Sequence, residues 1–161
     1  NFGKLKRKSK YLLIHKKITL VMADNSNKWL KGLLWYVAVY HILLGLLGIF
    51  AKGSAVSLAN WFFNFNLTIT PEVYWILNPF SAYVLIFGVF MALAATDPVK
   101  YKNIIYAGIA LFAVRIIQRI IFFVEAPEGL IRNVDPTRNI LAIGIVAIIA
   151  LRMYLLVRKI K

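Results

Sequence analysis

Residues 79–124 read PFSAYVLIFGVFMALAATDPVKYKNIIYAGIALFAVRIIQRIIFFV and contain two long apolar runs joined by a short polar segment. Residues 79–96 and 103–124 each approach the roughly 20 residues that an α-helix needs to cross the hydrocarbon core of a membrane. Asp97 and Pro98 separate the runs, and we expect Pro98 in the first turn of the second helix. Strict alternation, which is typical of a barrel strand, is missing from both runs. The stretch therefore predicts two antiparallel transmembrane helices joined by a tight hairpin.

Two further runs of this kind, residues 29–50 and 139–157, flank the hairpin. The chain has 161 residues, of which 61% are hydrophobic and only 16% charged, and its mean hydropathy is +0.73. Such values exclude an ordinary soluble domain. We predict an all-α membrane protein in which residues 29–161 form a four-transmembrane-helix bundle.

Residues 1–28 differ in composition and form a basic N-terminal arm. Residues 1–31 contain nine Lys and Arg side chains against Asp24 alone. Within the arm, residues 11–22 are too short to span a membrane, which predicts an interfacial or partner-bound segment. Met22 offers an alternative translation start. The net charge of +14 lies beside apolar spans, so we expect anionic lipids, and no nucleic acid, as partners.

The distribution of Lys and Arg predicts the orientation. With the N-terminus inside, fourteen of these residues lie on the cytoplasmic side and three on the other side. Cytoplasmic loops carry the excess of positive charge. We therefore expect both termini in the cytoplasm and a multi-pass protein of a prokaryotic cytoplasmic membrane. The outer loops would be residues 51–73 and 125–139, the second of them rich in turns.

Arg115, Gln118 and Arg119 interrupt the third span. Arg115 and Arg119 are four residues apart and therefore share a helix face. At 1.5 Å per residue, Arg115 lies about 20 Å along the helix from Lys102, near mid-membrane, and Arg119 lies closer to the outer surface. A charge at this depth costs about 2.5–3.5 kcal/mol, so we expect a polar partner for Arg115.

The spans contain no acid, which places the expected partner of Arg115 outside the chain. Arg119 is expected to extend toward the outer interface. Three readings stay open for Arg115: a structural contact with a carbonyl, carboxylate or phosphate in an assembly; a site for an anion or a quinone headgroup; and a route for protons.

His41 lies about midway along the first span, on the face that carries Gly45 and Gly48. Small residues on this face favour close helix contact, which would direct His41 into the bundle at the depth of Arg115. One interpretation is a neutral histidine bonded to Tyr40, Tyr83 or a carbonyl; the other is a polar neighbour of a ligand at Arg115. A metal site is not expected, because it needs several ligands.

Small residues on the later spans predict helix packing: Ser81, Gly88 and Ala92 on the second span and Gly144 on the fourth. A second set of residues predicts anchoring at the membrane surface. Trp29 marks the start of the first span, and Arg152 lies near the end of the fourth. Trp61, Phe62, Phe63 and Phe65 are too apolar for a solvated loop, so we expect them at the interface or on a partner.

Signatures of catalysis are missing from the sequence. It has no cysteine, no paired carboxylates inside a span, no glycine-rich phosphate loop and no cluster of metal ligands. The broken helices of secondary transporters are also missing. We expect no cofactor bound by this chain alone, with a quinone or lipid at a subunit interface as the alternative.

Residues 78–117 resemble the small four-helix membrane proteins grouped as DoxX-like or BphX-like. The similarity consists of Asn78-Pro79 at the start of the second span, Gly88, the Asp97-Pro98 hairpin with Tyr101, and a basic residue midway along the third span, here Arg115. The resemblance implies a four-helix bundle. Some members of the group are associated with quinone-linked oxidoreductases.

Two functional hypotheses follow. The first is a non-catalytic accessory subunit of a larger integral membrane complex, of the respiratory, photosynthetic or another oxidoreductase type. The second is a small membrane enzyme component or transporter that binds an anionic or quinone-like ligand near Arg115 and His41. A weaker third reading is an adaptor whose basic arm recruits anionic lipid.

Overall fold

A computed structural model describes the backbone of residues 2–64, 66–125 and 135–160, and the side chains of residues 26–64, 66–122 and 135–160. These residues form α1 (Phe2–Phe50), α2 (Lys52–Phe63), α3 (Pro71–Thr96), α4 (Lys102–Glu125) and α5 (Pro136–Val157). The expectations for the side chains of the basic arm before residue 26, for Phe65 and for the loop 126–134 lie outside the described residues.

Four helical segments are long and apolar enough to cross a membrane: Ser26–Phe50, Pro71–Thr96, Lys102–Phe122 and Pro136–Val157. They correspond to the four predicted spans, so the all-helical fold and its candidate membrane-spanning helices are confirmed. The backbone of α1 continues without a break from the arm into the first span, so the compositional boundary at residue 28 lies inside a helix.

The start of the second span was predicted wrongly. The helix begins eight residues before Pro79, at Pro71, and Pro79 lies inside it. The Thr70 side chain caps this earlier start by accepting a hydrogen bond from the Val73 backbone N–H at 3.3 Å. A proline at the first helical position and a threonine cap together define a helix start.

The hairpin between α3 and α4 also differs from expectation at Pro98. Asp97 ends α3 as predicted, but α4 starts at Lys102, so Pro98 lies in the connecting turn. The Asp97 side chain accepts from the Lys100 backbone N–H at 3.1 Å, and the Asp97 carbonyl accepts from Tyr101 N–H at 3.0 Å. These bonds close a turn before the helix resumes.

The expected outer loop 51–73 contains a helix, α2. The residue that caps its C-terminus, Asn64, has a left-handed backbone (φ 57°) and donates its N–H to the Asn60 carbonyl. The Asn60 side chain then pairs with both backbone groups of Leu67, at 2.9 and 3.0 Å. Asparagine tolerates the left-handed conformation of Asn64 better than most residues do. The aromatic residues 61–63 therefore lie on a helix end and not in an open loop.

The bundle has two unlike ends. At the hairpin end, α1, α3, α4 and α5 share an apolar core whose fully buried members include Leu34, Met91, Ile105 and Met153. The Lys102 ammonium also donates to the Ile160 carbonyl at 3.1 Å, which ties the C-terminal residues to the hairpin. At the opposite end, where α2 lies, hydrogen-bonding side chains connect α4 to α5 and α2 to α5.

The extensive contact between α1 and α3 depends on glycine. A Cβ atom on Gly45 would lie 2.6 Å from the Leu85 backbone nitrogen, and one on Gly88 would lie 2.8 Å from the Ile42 nitrogen. Gly48 faces Ser81 in the same contact, and Ser81 is buried. Small residues let transmembrane helix backbones approach this closely.

Gly144 on α5 does not take part in such a contact. A Cβ atom built on Gly144 meets no other atom within 4 Å among the described residues. The predicted packing surface on the fourth span is therefore wrong at this position, because α5 turns other residues, such as Ala142, Ala150 and Met153, toward the core. Ala92 on α3 is half-buried and packs against the core.

Candidate functional site

His41 lies inside the bundle and bonds to its own helix. Its side chain is 4% exposed, and Nδ1 lies 2.7 Å from the Val37 carbonyl oxygen. The rings of Tyr40 and Phe87 meet it edge-on, with centroid distances of 5.2 and 4.7 Å. Because a carbonyl can only accept, Nδ1 carries the proton in this contact.

Arg115 on α4 reaches across the bundle to this histidine. Its Nη1 lies 3.2 Å from His41 Nε2. A guanidinium can only donate, so Nε2 must offer its lone pair. The two contacts of His41 therefore agree on a neutral imidazole with the proton on Nδ1, assigned here from its bonding partners. Arg115 thus has a polar partner inside the chain, where the sequence suggested none, whereas an anionic partner from outside the chain stays a prediction.

His41 and Arg115 are 74 positions apart in the chain, but they lie at similar distances from the starts of their spans, which explains why they meet. α1 and α4 are the first and third spans of the bundle, and successive spans alternate in direction, so they run the same way. At 1.5 Å per residue, His41 lies about 22 Å from Ser26, and Arg115 lies about 20 Å from Lys102. The contact between α1 and α3 then fixes the rotation of α1 that points His41 toward α4.

Arg119 lies one turn further along α4 and bonds at the α2 end of the bundle. Its Nη1 donates to the Asn139 side-chain oxygen, and its guanidinium carbon lies 5.0 Å from the centre of the Phe63 ring. Asn139 belongs to the first turn of α5 and is 3% exposed. Arg119 therefore contacts two other helices of the bundle, α2 and α5. The expectation had been that its side chain extends toward the lipid headgroups.

The charge of this cluster is not balanced within the described part of the chain. Arg115 meets a neutral imidazole and Arg119 meets a neutral amide. Among the described side chains, no Asp or Glu forms an ion pair with either arginine; the ion pair recorded there joins Arg138 to Asp135 at 3.3 Å. Hydrogen bonds lower the cost of the two charges, but among the described side chains they leave both charges without a counter-ion.

Arg138 fastens α2 to the start of α5. Its guanidinium donates to the carbonyl oxygens of Trp61 and Phe62, in the last turn of α2, and the Asp135 N–H donates to the Phe63 carbonyl at 3.2 Å. A cation at a helix C-terminus also interacts favourably with the helix dipole. A cavity of about 220 Å³ adjoins this contact, lined by Trp61, Phe62, Arg138 and Leu141.

The other predicted site residues lie on the surface of the described structure. Gln118 is exposed on α4 beside the two arginines, and Arg152 is exposed on α5. Trp29 and Trp61 are 70% and 73% exposed, whereas Phe62 and Phe63 are half-buried. No group of His, Cys, Asp or Glu that could hold a metal ion occurs among the described residues.

The sequence interpretation missed Asn139, Phe87 and Phe112. Asn139 was used only to mark the start of the fourth span. Because polar residues are common at helix starts, the sequence carries no signal that this one is buried. Phe87 and Phe112 stack edge-on at 5.6 Å beside His41. A phenylalanine in an apolar run gives no such signal, because any face of the helix could hold it.

Comparison of the chain with models of known families, with curated proteins and with solved structures finds no match. The resemblance to the DoxX-like and BphX-like proteins therefore stays a prediction.

Proposed function

We propose that the chain is a non-catalytic accessory subunit of a larger integral membrane complex. The observation that carries the proposal is the cationic pair on α4. Arg115 and Arg119 are half-buried in a membrane span and bond only to neutral groups among the described residues. An anionic group from another molecule would complete their environment, and complexes of membrane subunits supply such groups by pairing ionisable residues between helices.

The apolar surface supports the same proposal. Only 17% to 33% of the most apolar stretch of each span is buried within the chain. The remaining surface is available to lipid and to neighbouring helices. The DoxX-like resemblance, which stays a prediction, points to a complex of the quinone-linked oxidoreductase type.

Extraction of the tagged full chain in a mild detergent tests the proposal. We expect it to migrate with other integral membrane proteins, well above the 18.3 kDa of one chain and its micelle. A stable, monodisperse monomer extracted from its native membrane would overturn the proposal.

A second candidate function is the binding of an anionic or quinone-like ligand at Arg115. A guanidinium has five N–H groups, and the described contacts of Arg115 use one of them. The accepting group, His41, lies among aromatic rings on α1, α3 and α4. Polar groups set among aromatic walls are typical of sites for small planar ligands.

The variant Arg115→Leu separates the two functions. Loss of assembly before any loss of ligand binding favours the subunit. Loss of ligand binding with assembly intact favours the ligand site. Arg152→Leu is the matched control, since it removes an exposed arginine from α5.

A further inference from the structure

The outward face of α4 carries a regular pattern of residues that stay exposed among the described residues. Residues 107, 111, 114, 118 and 121 recur at alternating intervals of four and three, and all are exposed: Ala107, Leu111, Val114, Gln118 and Ile121. Such a heptad spacing keeps one line of side chains facing a second helix. We call these five residues the α4 seam.

Gln118 distinguishes the α4 seam from an ordinary lipid-facing surface. At 1.5 Å per residue it lies about 24 Å along α4 from Lys102, within the outer part of the hydrocarbon layer. An exposed amide at this depth is more costly against lipid than at the membrane surface, and it is favourable against a polar group on another helix. A single polar residue in a heptad seam also selects the partner and its register.

The positive charge of Arg115, beside the α4 seam, indicates that the partner is anionic. Arg115 lies one turn before Gln118, is half-exposed and has a neutral partner in His41. A carboxylate is the complement of a guanidinium with unused donors. A lipid phosphate fits less well, because it lies at the membrane surface. Arg115 lies deeper in the span than Arg119, which is the arginine nearer the α2 end.

A second copy of this chain is also disfavoured as the partner. A two-fold axis through the α4 seam would bring Arg115 and Arg119 close to their own symmetry mates. Four cations would then meet in an apolar layer with no acid from the described side chains between them. Like charges so placed oppose association.

We propose that the α4 seam docks a transmembrane helix of a different protein, and that this helix carries an Asp or Glu at the level of Arg115 and Gln118. The inference rests on the proposed function, because it names the partner of the accessory subunit. The carboxylate would accept hydrogen bonds from both Arg115 and Gln118.

Photocrosslinking from a single cysteine tests the docking. The chain has no cysteine, so Val114→Cys places a benzophenone maleimide at the centre of the α4 seam. Ile148→Cys is the matched control, at a 62% exposed position of α5. In the native membrane, we expect the probe at position 114 to label one transmembrane peptide of another protein, with an acid within one helical turn of the attachment point.

A second pair of measurements tests the charge. Changing the acid of the labelled peptide to its amide should weaken association by tenfold or more, on the order expected when a buried charge loses its partner. Gln118→Leu should weaken association as well, while the isolated chain stays at least as stable, because leucine is the better residue against lipid.

Each other outcome overturns the inference. Adducts at position 114 with lipid alone, with α4 of a second copy, or with a helix that has no nearby acid all contradict it. If the chain still migrates as a large complex in those cases, only the inference fails. If it migrates as a single chain in its micelle, the proposed function fails as well.

Discussion

At the scale of single residues, the state of His41 follows from its two partners. Val37 supplies an oxygen that can only accept, and Arg115 supplies a nitrogen that can only donate. One neutral tautomer satisfies both, whereas a second proton on Nε2 would remove the acceptor and set two cations side by side. Among the described side chains, the partner of the charged arginine is therefore a neutral imidazole and not a carboxylate.

Nitrogen-15 NMR of the chain in detergent would test this tautomer. We expect a protonated Nδ1 and an unprotonated Nε2 for His41, because the Val37 carbonyl fixes the proton on Nδ1. The sequence has two histidines, so the variant His15→Gln leaves one signal to assign. A protonated Nε2 in the neutral ring would contradict the described contact with Arg115.

The energy of the pair can be measured with a double-mutant cycle. His41→Leu should lower the free energy of unfolding by about 1–3 kcal/mol, because Arg115 loses its acceptor inside the bundle. The double variant with Arg115→Met should lose less than the sum of the single variants, by about 0.5–2 kcal/mol. Unfolding in mixed detergent micelles gives these values. Strict additivity would show that the two residues do not interact.

At the scale of helices, glycine decides how α1 and α3 pack. Gly45 and Gly88 let the two backbones touch, and this contact sets the rotation of α1 that points His41 toward α4. The same residue type at Gly144 has no neighbour among the described residues within 4 Å of an added Cβ atom. A glycine in an apolar span is therefore a packing residue only where a neighbouring helix lies against it.

Substitution of these glycines should give opposite effects. Gly88→Val places atoms within 2.8 Å of the Ile42 backbone, so we expect a loss of about 1–3 kcal/mol in the free energy of unfolding. Gly144→Ala should be neutral or stabilising by up to about 1 kcal/mol, because alanine favours the helix and meets no atom. Equal losses at both positions would contradict the described α1–α3 contact.

The attachment of α2 to α5 can also be tested. Arg138→Met removes the donor to the Trp61 and Phe62 carbonyls, so the amides of α2 should exchange with solvent faster than in the parent chain. The amides of the hairpin end should keep their protection, because the apolar core holds them. Hydrogen exchange read by mass spectrometry compares the two regions, and Arg152→Met serves as the control.

At the scale of the whole molecule, the two ends of the bundle are stabilised differently. Apolar burial stabilises the hairpin end, and side-chain hydrogen bonds attach α2 and α5 at the α2 end. Leu34, Ile105 and Met153 are fully buried at the hairpin end. Arg119 and Arg138 connect helices at the α2 end through hydrogen bonds. Local opening is expected at the end with fewer buried apolar contacts.

The orientation of the molecule is a prediction of the charge count. Fourteen Lys and Arg residues on one side against three on the other place the hairpin in the cytoplasm and α2 outside. In intact cells, an impermeant maleimide should label Ser57→Cys in α2 but not Lys100→Cys in the hairpin. Labelling of Lys100→Cys before lysis would reverse the assignment, and lysed cells provide the control for reactivity.

The sequence by itself determined the four apolar helices, the Asp97 hairpin and the position of Arg115 along its helix, because hydropathy, length and turn residues act locally along the chain. It placed the start of α3 eight residues late and missed α2, since Thr70, Pro71 and Asn64 make local signals that the longer apolar runs obscured. Only the tertiary structure decided that Arg115 meets His41 and that Arg119 meets Asn139. These contacts depend on the rotation of each helix about its axis, which no single span encodes. For α1 and α3, the close approach at Gly45 and Gly88 fixes that rotation.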